Sequence, residues 1–270
     1  MRSIESNFLR RTSLLSPSDP PAYRTANEGG TSPLLLLCDH AANAVPEALG
    51  SLGLSDADLG RHIAWDLGAE ALIRQLAERL GATAVLSSFS RLVIDCNRAL
   101  GDRTCMAEQS DGTRVPGNSG LDATQRSERA EALYWPYHRY VATVLDAFAA
   151  RGVAPAVISV HSFTPHMNGV ARPWQIGVLW DRDARISRPL LETLSRDQSI
   201  TVGDNEPYSL RGPVDFTLPH HAVARGLPHV LIESRQDELD EPTGVAHVAG
   251  LLHRALAPIL SDPSLFRAIL

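Results

Sequence analysis

PLLLLCDH, residues 33–40, carries the clearest fold signal in the chain. Five consecutive apolar residues, Leu34 to Cys38, are too few for a helix of ordinary length and stop abruptly at Asp39 and His40. A short continuous apolar run bounded by polar residues indicates a strand that is buried on both faces, as in parallel sheets covered by helices. The segment therefore predicts an α/β fold in which polar side chains follow the end of a buried strand.

Strands and helices alternate through the remainder of the chain. The sequence predicts further strands over 84–87, 91–96, 156–160, 175–180 and 229–232, and helices over 66–80, 124–150, 188–197 and 243–260. Such alternation is typical of parallel or mixed sheets with helices packed on their faces. Because no linker-like break or internal repeat interrupts the pattern, we expect a single α/β domain over residues 33–270. Its mixed, mostly parallel sheet should be flanked by helices, with loops over 101–120 and 203–220.

Residues 1–32 differ from this domain in composition. They are polar and rich in Pro, Ser and Gly, with Pro20-Pro21 and Gly29-Gly30 as breaks. Such residues favour turns over regular elements, so we predict an irregular N-terminal arm. Residues 1–11 carry charges but no apolar stretch of the kind that a secretory signal needs.

Composition narrows the classes of function. The net charge is −6 and the pI about 5.9, so we expect no nucleic-acid partner. No apolar run approaches the roughly 18 residues of a transmembrane helix, and we expect no membrane partner. The three cysteines show no paired spacing, which is typical of a reducing compartment and predicts a cytoplasmic protein. The chain has no lysine, which excludes Schiff-base and phosphate-loop lysine chemistry and leaves arginine as the main source of fixed positive charge.

Chemically active side chains follow several predicted strands at the point where each strand ends. His40 follows the run at 34–38, His161 follows 156–160, and Glu233 follows 229–232. A fourth strand runs into DCNR (95–98). In open α/β sheets the ligand crevice lies beyond the carboxyl ends of the strands. We therefore expect these residues, which are far apart in sequence, to converge on one site.

The residue types at these strand ends suit metal-assisted hydrolysis. Two imidazoles and one carboxylate, with a further position left open, are a ligand set of catalytic zinc, which lowers the pKa of its water to about 7. A carboxylate such as Glu233 can take a proton from water and return it to a leaving group. An arginine such as Arg98 presents a rigid fork to a substrate carboxylate.

Several segments together resemble one family, the N-formylglutamate amidohydrolases. They are CDHAANAVP (38–46), IAWDLGA (63–69), SRLVIDCNR (90–98), YWPYHRYV (134–141), SVHSF (159–163), GDNEPYS (203–209) and LIESRQDEL (231–239). The resemblance runs from about residue 33 to 260. It implies a phosphorylase/hydrolase-like architecture similar to that of zinc carboxypeptidases and aspartoacylases, a zinc ion, and cleavage of an N-formyl or other N-acyl group from an amino acid such as glutamate.

The resemblance also implies roles for individual residues. His40 and His161 match metal ligands, Asn97 and Arg98 match a substrate-binding pair in which Arg98 also assists catalysis, and Glu233 matches the catalytic glutamate. Zinc carboxypeptidases carry an aspartate where this chain has Ser159. The interaction that orients the His161 ring must therefore come from another residue or be absent.

The third metal ligand departs from the carboxypeptidase pattern. There a glutamate lies three residues after the first histidine, and here that position is Asn43, a poor zinc ligand. Asp66, which resembles an acidic position of the formylglutamate family, is the preferred candidate, and Asp39 is the other carboxylate within reach.

Four further residues are candidates for substrate binding. Asn205 and Tyr208 lie in a loop that could close over substrate, and His221 fits the family pattern. Arg235 should point in the same direction as Glu233, because side chains two apart on an extended chain share a face.

The sequence leaves the function open between alternatives. The first is a metal-dependent hydrolase of a small acidic N-acyl amino acid. Another is a deacylase for a different acyl group, such as formimino or acetyl. A third, suggested by Asn43 and Ser159, is a retired hydrolase scaffold that binds small acidic ligands. Nothing in the sequence indicates the oligomeric state or the pathway.

Overall fold

The computed structural model describes residues 14–212 and 215–269. Residues 1–13, part of the predicted arm, lie outside the described residues. The strands are β1 (Tyr23–Ala26), β2 (Leu34–Cys38), β3 (Thr83–Ser87), β4 (Gln109–Ser110), β5 (Thr113–Arg114), β6 (Ala156–Phe163), β7 (His166–Met167), β8 (Val170–Ala171), β9 (Ile176–Leu179), β10 (Val202–Asp204) and β11 (His229–Arg235). The α-helices are α1 (Asp56–Leu59), α2 (Ala69–Leu80), α3 (Ala123–Arg129), α4 (Trp135–Ala150), α5 (Ser187–Leu194), α6 (Thr217–His221) and α7 (Pro242–Leu260).

Seven strands form one sheet in the order β1-β3-β2-β6-β11-β9-β10. Strands β3, β2, β6 and β11 run parallel to one another at its centre. At one edge β1 pairs antiparallel with β3, and at the other β9 pairs antiparallel with β11 and parallel with β10. The predicted single α/β domain with a mixed, mostly parallel sheet is thus confirmed.

Helices cover both faces of the sheet, which explains the uninterrupted apolar run of β2. Leu34, Leu36 and Cys38 pack in one core cluster with residues of α2, α5 and α7. Leu35 and Leu37 pack in a second cluster with residues of α4 and α6. Successive side chains of a strand point to opposite faces, so a strand covered on both sides needs apolar residues at every position.

Part of the predicted N-terminal arm belongs to the sheet. Strand β1 pairs residue by residue with β3, from Tyr23 opposite Ser87 to Ala26 opposite Ala84. Its four residues are all half-buried, so the segment lacks the apolar alternation that identifies a strand in sequence. The prediction of an irregular arm is wrong for these residues, because backbone pairing with β3 fixes them more than side-chain burial does.

The predicted strand over 91–96 is also wrong. Leu92, Val93 and Ile94 are buried in the second core cluster, which accounts for their strand-like apolar pattern, but the backbone there forms turns. Side chains take the place of a neighbouring strand: the Asn118 amide donates to the Leu92 carbonyl at 2.8 Å and the Arg129 guanidinium to the Val93 carbonyl at 3.0 Å.

Arg129 holds this turn region together through buried hydrogen bonds, and its removal should destabilise the fold. The guanidinium also donates to Asn118 Oδ1 at 2.6 Å and to the Gly117 carbonyl at 2.9 Å. We expect Arg129→Met to lower the free energy of unfolding by about 3 kcal/mol, because a buried acceptor left without its donor costs about 1–3 kcal/mol. Urea denaturation measures the change, with the exposed Arg139→Met as control. Equal effects of the two substitutions would contradict this role.

Other differences from prediction are local. The helix predicted over 124–150 contains a π-helical turn, Ala130–Tyr134, just before Pro136. The predicted loop 101–120 contains the hairpin β4–β5, and the predicted loop 203–220 contains α6. Strands β7 and β8 form a second small hairpin. Among the described residues, no helix combines the length and the apolar character needed to cross a membrane.

Candidate metal centre and active site

Three buried side chains meet beyond the ends of the central strands. His40 follows β2, His161 lies in β6, and Asp66 lies just before α2, where its backbone N–H donates to the His40 carbonyl at 2.9 Å. Asp66 Oδ2 lies 2.8 Å from His161 Nδ1 and 3.4 Å from His40 Nδ1. One nitrogen or oxygen of each residue falls within 4.8 Å of the others. Two imidazoles and a carboxylate at this separation could hold a divalent metal ion.

His40 is oriented as a metal-binding histidine would be. Its Nε2 lies 2.7 Å from Asp95 Oδ1, and because a carboxylate only accepts, Nε2 carries the proton. Its Nδ1 is buried and makes no hydrogen bond with any described residue. A carboxylate on the far nitrogen of a histidine fixes the tautomer and the ring orientation at metal sites. The unpartnered Nδ1 therefore fits a metal ligand.

Arg91 lies beside two carboxylates of the site, those of Asp95 and Asp66. Its Nη2 donates to Asp95 Oδ2 at 2.7 Å, and its Nη1 lies 3.6 Å from Asp66 Oδ1. Burial opposes ionisation of Asp95, yet the charges of Arg91 and His40 hold its pKa well below the ordinary value. Sequence reasoning did not assign Arg91 to the site, although its position four residues before Asp95 is a signal for an ion pair.

His161 has two supporting groups on its far nitrogen. Nε2 lies 3.0 Å from Ser159 Oγ and 3.4 Å from Asp39 Oδ2. Asp39 is anchored in turn by the Thr217 hydroxyl, which donates to Asp39 Oδ1 at 2.8 Å. The aspartate expected at position 159 is thus replaced by Ser159 together with Asp39.

The alternatives for the third ligand lie elsewhere. Asp39 contacts the outer nitrogen of His161, on the side away from Asp66. The Asn43 side chain donates to the Leu59 carbonyl at 2.9 Å and does not line the cavity. Asp66 is therefore the carboxylate that lies beside both imidazoles.

Charge pairing dominates the electrostatics of the three candidate ligands. Burial opposes ionisation of Asp66, but His40 and His161 hold its pKa below the ordinary value, so it is an anion. Burial opposes protonation of His161, but Asp39 and Asp66 raise its pKa well above the ordinary value. The carboxylate stays negative deep in the protein, which suits a cation.

Glu233 faces the same cavity from β11. In the sheet it pairs with His161 of β6 on one side and with Gly177 of β9 on the other. Burial raises the pKa of Glu233 to about 7, with Asp66 adding to the shift and His161 opposing it. Its Oε2 has no hydrogen-bond partner among the described residues. A carboxylate with a pKa near neutrality and an unused oxygen suits proton transfer.

These residues line one cavity of about 280 Å³. Of the predicted site residues, the ones that line it are His40, Asp66, Asn97, Arg98, His161, Tyr208 and Glu233. Arg91, Asp215, Leu179 and Leu231 complete much of the wall. The predicted convergence of strand ends is confirmed.

Asn97 and Arg98 lie in the turn region that follows Asp95. The Asn97 side-chain oxygen accepts from the backbone N–H groups of Phe216 and Thr217 at 3.0 and 2.9 Å, and its Nδ2 donates to Asp215. Asn97 therefore ties the start of α6 to the cavity wall. Arg98 lines the cavity and donates from Nη1 to the Asn97 carbonyl at 2.9 Å.

Asp215 is a cavity residue that sequence reasoning missed. It precedes α6, where its Oδ2 accepts from the Leu218 backbone N–H at 3.3 Å. Burial raises its pKa to about 6. Nothing in the pattern of the 203–220 segment distinguishes it from other loop acids.

Two predicted substrate-binding residues do not line the cavity. Asn205 is in a left-handed turn with φ of 55°, and its side-chain oxygen accepts from the Trp180 backbone N–H at 3.0 Å. Arg235 lies on the strand that carries Glu233, but its Nη1 donates to the carbonyls of Arg172 and Pro173 and its other nitrogens pair with acidic residues of the next turn. Arg235 shares the strand face of Glu233, as predicted, but these acceptors hold its guanidinium away from the cavity.

His221 is likewise a core residue. Its Nε2 lies 2.9 Å from His138 Nδ1, and His138 Nε2 lies 2.9 Å from the Cys96 carbonyl. Burial lowers the pKa of His221 to about 3 and that of His138 to about 4, so both rings are neutral. The carbonyl fixes the proton on His138 Nε2, and His221 then donates to His138. The pair supports the turn at Cys96 and does not line the cavity.

Comparison with known proteins agrees with this geometry. The chain matches the N-formylglutamate amidohydrolase family over residues 32–239. It is similar to the gene product Atu2144 of Agrobacterium tumefaciens, with 38% identity and a TM-score of 0.89 over 92% of this chain and 98% of that one. The fold is also that of the N-formylglutamate amidohydrolase of Ralstonia eutropha JMP134, with 20% identity and a TM-score of 0.63 over 88% and 96% of the chains. No curated protein sequence matches. The family match covers most of the chain, so the protein belongs to the N-formylglutamate amidohydrolase family and is a hydrolase of linear amides.

Proposed function

We propose that this protein is a zinc-dependent amidohydrolase that removes the N-formyl group from an acidic amino acid such as N-formylglutamate. The observation that carries the proposal is the cavity in which the buried cluster of His40, Asp66 and His161 lies beside Glu233 and Arg98. A cluster of metal-binding donors, a proton-transfer carboxylate and a cation in one cavity are the groups that amide hydrolysis requires.

His40, Asp66 and His161 would hold the zinc ion. Two histidines and one carboxylate leave positions open for substrate and water, as in catalytic zinc sites. Zinc, when bound, polarises the amide carbonyl and makes water a better nucleophile. Asp95, Ser159 and Asp39 keep the two imidazoles in orientation through their outer nitrogens.

Glu233 would move the proton. It accepts a proton from the attacking water as the water oxygen bonds to the acyl carbon. It then gives that proton to the amide nitrogen as the carbon–nitrogen bond breaks. The products are formate and the free amino acid, so water supplies all the atoms that are added. Burial of Glu233 supports this role because a carboxylate with a raised pKa both accepts and releases a proton near neutral pH.

Arg98 would receive the negatively charged substrate. The chain has no lysine, and the arginines that line the cavity among the described residues are Arg91 and Arg98. We assign the substrate to Arg98 because, with Asn97, it matches the substrate-binding pair of the family. Its planar fork suits a carboxylate or a developing negative charge on the carbonyl oxygen. Asn97 would position Arg98 and the start of α6. Tyr208 would cover the bound substrate from the loop in which it lies.

Two features favour an active hydrolase over a retired scaffold. Asp66 provides a carboxylate that Asn43 cannot supply. Ser159 and Asp39 together support His161 where an aspartate at position 159 is missing. Both sequence departures that suggested loss of activity therefore have a structural replacement.

The test joins a metal assay to a substrate panel. Protein purified without chelator should contain one zinc per chain, and it should release the free amino acid from N-formylglutamate faster than from N-formimino- or N-acetylglutamate. Absence of metal, with none regained when zinc is added, would overturn the proposal. Faster cleavage of another acyl group would keep the mechanism and change the substrate.

Loss of the carboxylate behind His40 should weaken metal binding. We expect Asp95→Asn to raise the zinc dissociation constant about 10- to 100-fold, because removal of such partners typically has that effect. Competition with a chromophoric chelator measures the constant. Asp102→Asn is the control, because this half-buried aspartate on the same loop does not line the cavity. An unchanged constant in Asp95→Asn would contradict the support assigned to Asp95.

The activity should fall on the acid side of neutrality. Glu233 acts as a base only when it is ionised, so kcat/KM should decline as the pH is lowered through its pKa. Burial raises this pKa to about 7, and a bound cation lowers it by favouring the charged form. We therefore expect the midpoint between the ordinary value of 4.5 and about 7. A flat profile down to about pH 4, near the ordinary pKa of a glutamate, would contradict this assignment.

A further inference from the structure

The active-site cavity adjoins a second cavity that is larger than the first. The two share Asp66, Arg91, Arg98, Ser162 and Tyr208. The first has a volume of about 280 Å³ and the second about 460 Å³. Pockets for small organic ligands usually run from about 300 to 1,000 Å³, so the first already approaches the size of a compact ligand. We refer to the second cavity as the outer groove.

The two small hairpins outside the main sheet both contribute residues to the wall of the outer groove. Gln109, Ser110 and Asp111 line it from the hairpin β4–β5, and Met167 and Asn168 line it from the hairpin β7–β8. Neither hairpin pairs with the seven-stranded sheet. The two hairpins thus add walls to the groove from outside the main sheet.

The part of the wall that the two hairpins contribute suits a polar chain. The side chains of Gln109, Ser110 and Asn168 make no hydrogen bond with other residues in the part of the chain that the structure describes. Amides and hydroxyls both donate and accept, as peptide groups do. The charge of Asp111 is balanced by Arg61, whose Nη2 donates to it at 3.0 Å. Ile63, Phe163 and Met167 add apolar surface for a side chain.

The position of the reacting groups decides which part of a substrate enters the groove. His40, His161 and Glu233 line only the inner cavity, whereas Arg98 and Tyr208 line both. The inference rests on the proposed function: a formyl group ends at the reacting carbon and needs no space beyond it. The outer groove must therefore lie on the amino-acid side of the amide, past Arg98.

We propose that the outer groove is a subsite for the second residue of an N-formylated dipeptide. An extended residue adds about 3.5 Å of length. Because Arg98 and Tyr208 line both cavities, a second residue beyond the cleaved amide would lie toward the outer groove. Its peptide group would meet the amide and hydroxyl side chains of the walls. The substrate class would then extend from N-formyl amino acids to short N-formyl peptides.

The test compares two substrates in the zinc-loaded enzyme and in four variants. The substrates are N-formylglutamate and N-formyl-Glu-Ala, and the quantity is the ratio of their kcat/KM values. Ser110→Trp and Met167→Trp would fill the groove from one hairpin each. Arg114→Trp and Val170→Trp add the same side chain to the same hairpins, at exposed positions that do not line the groove. Thermal melting confirms that each variant is folded.

We expect wild type to cleave the dipeptide with kcat/KM within about tenfold of that for N-formylglutamate, since remote contacts contribute to transition-state binding. Each groove-filling variant should lower the dipeptide-to-monomer ratio at least about tenfold, and the two exposed controls should leave it unchanged. Cleavage of N-formylglutamate without cleavage of the dipeptide would overturn the subsite and keep the proposed function. An unchanged ratio in the filled variants would also overturn it. Cleavage of neither substrate would overturn both.

Discussion

Replacing Asp66 by asparagine is expected to abolish stoichiometric zinc binding. The substitution keeps the size of the side chain and removes its charge. Because Asp66 lies beside both His40 and His161 and is ionised despite its burial, it is the negative charge that the cluster offers to a cation. We expect the zinc dissociation constant to rise by more than about 100-fold, beyond the roughly 10- to 100-fold effect of losing a supporting residue such as Asp95.

Elemental analysis and chelator competition measure metal binding directly. They therefore distinguish a loss of zinc affinity from a loss of catalytic activity in a protein that still binds zinc. Asp56→Asn, an exposed aspartate in α1, is the matched control and should bind zinc like wild type. Thermal melting of the metal-free proteins checks the fold, because Asp66 also accepts from the Ser162 backbone N–H at 3.3 Å. A normal zinc constant in a folded Asp66→Asn protein would mean that another group is the third ligand.

The parts of the fold that sequence predicts well are those in which side-chain burial alone decides the structure. Strand β2 begins and ends as predicted, because both faces of the strand are covered and every side chain must be apolar. The apolar side chains of the 91–96 region are buried in the same way, but the backbone there forms turns and not a strand. Its carbonyls are satisfied by Asn118 and Arg129, from segments far along the chain, and no local pattern reports such partners.

The same distinction applies to the site. The ends of parallel strands must meet at one edge of the sheet, so His40, His161 and Glu233 could be brought together from sequence. The periodicity of a sequence shows on which face of a strand or helix a side chain lies. It does not show which groups that side chain binds. Arg235 shares the strand of Glu233, but its guanidinium binds carbonyls near the start of β9. The His221 ring forms a hydrogen bond with His138 and does not face the cavity. Arg91 and Asp215 enter the cavity through loops, where neither periodicity nor capping gives a position.

The second large effect is expected from Glu233→Gln, which should reduce kcat about 10²- to 10⁴-fold while zinc content stays normal. General acid–base groups contribute on that order to catalysis. Glutamine has nearly the shape of glutamate but can neither take a proton from water nor return one to the amide nitrogen. Zinc should remain because Glu233 is not part of the cluster formed by His40, Asp66 and His161. The KM for N-formylglutamate should change little, because Arg98 and not Glu233 is assigned to the substrate carboxylate.

The pH profile distinguishes proton transfer from a packing role for Glu233. If the carboxylate is the base, the residual activity of Glu233→Gln should lose the acid limb that wild type owes to ionisation of this group, whose pKa burial raises to about 7. Glu241→Gln, an exposed glutamate just before α7, should keep both the rate and the limb. A folded, zinc-containing Glu233→Gln enzyme with near wild-type kcat would remove Glu233 from the mechanism. Asp215, the other acid of the cavity with a raised pKa, would then be the group to test as the base.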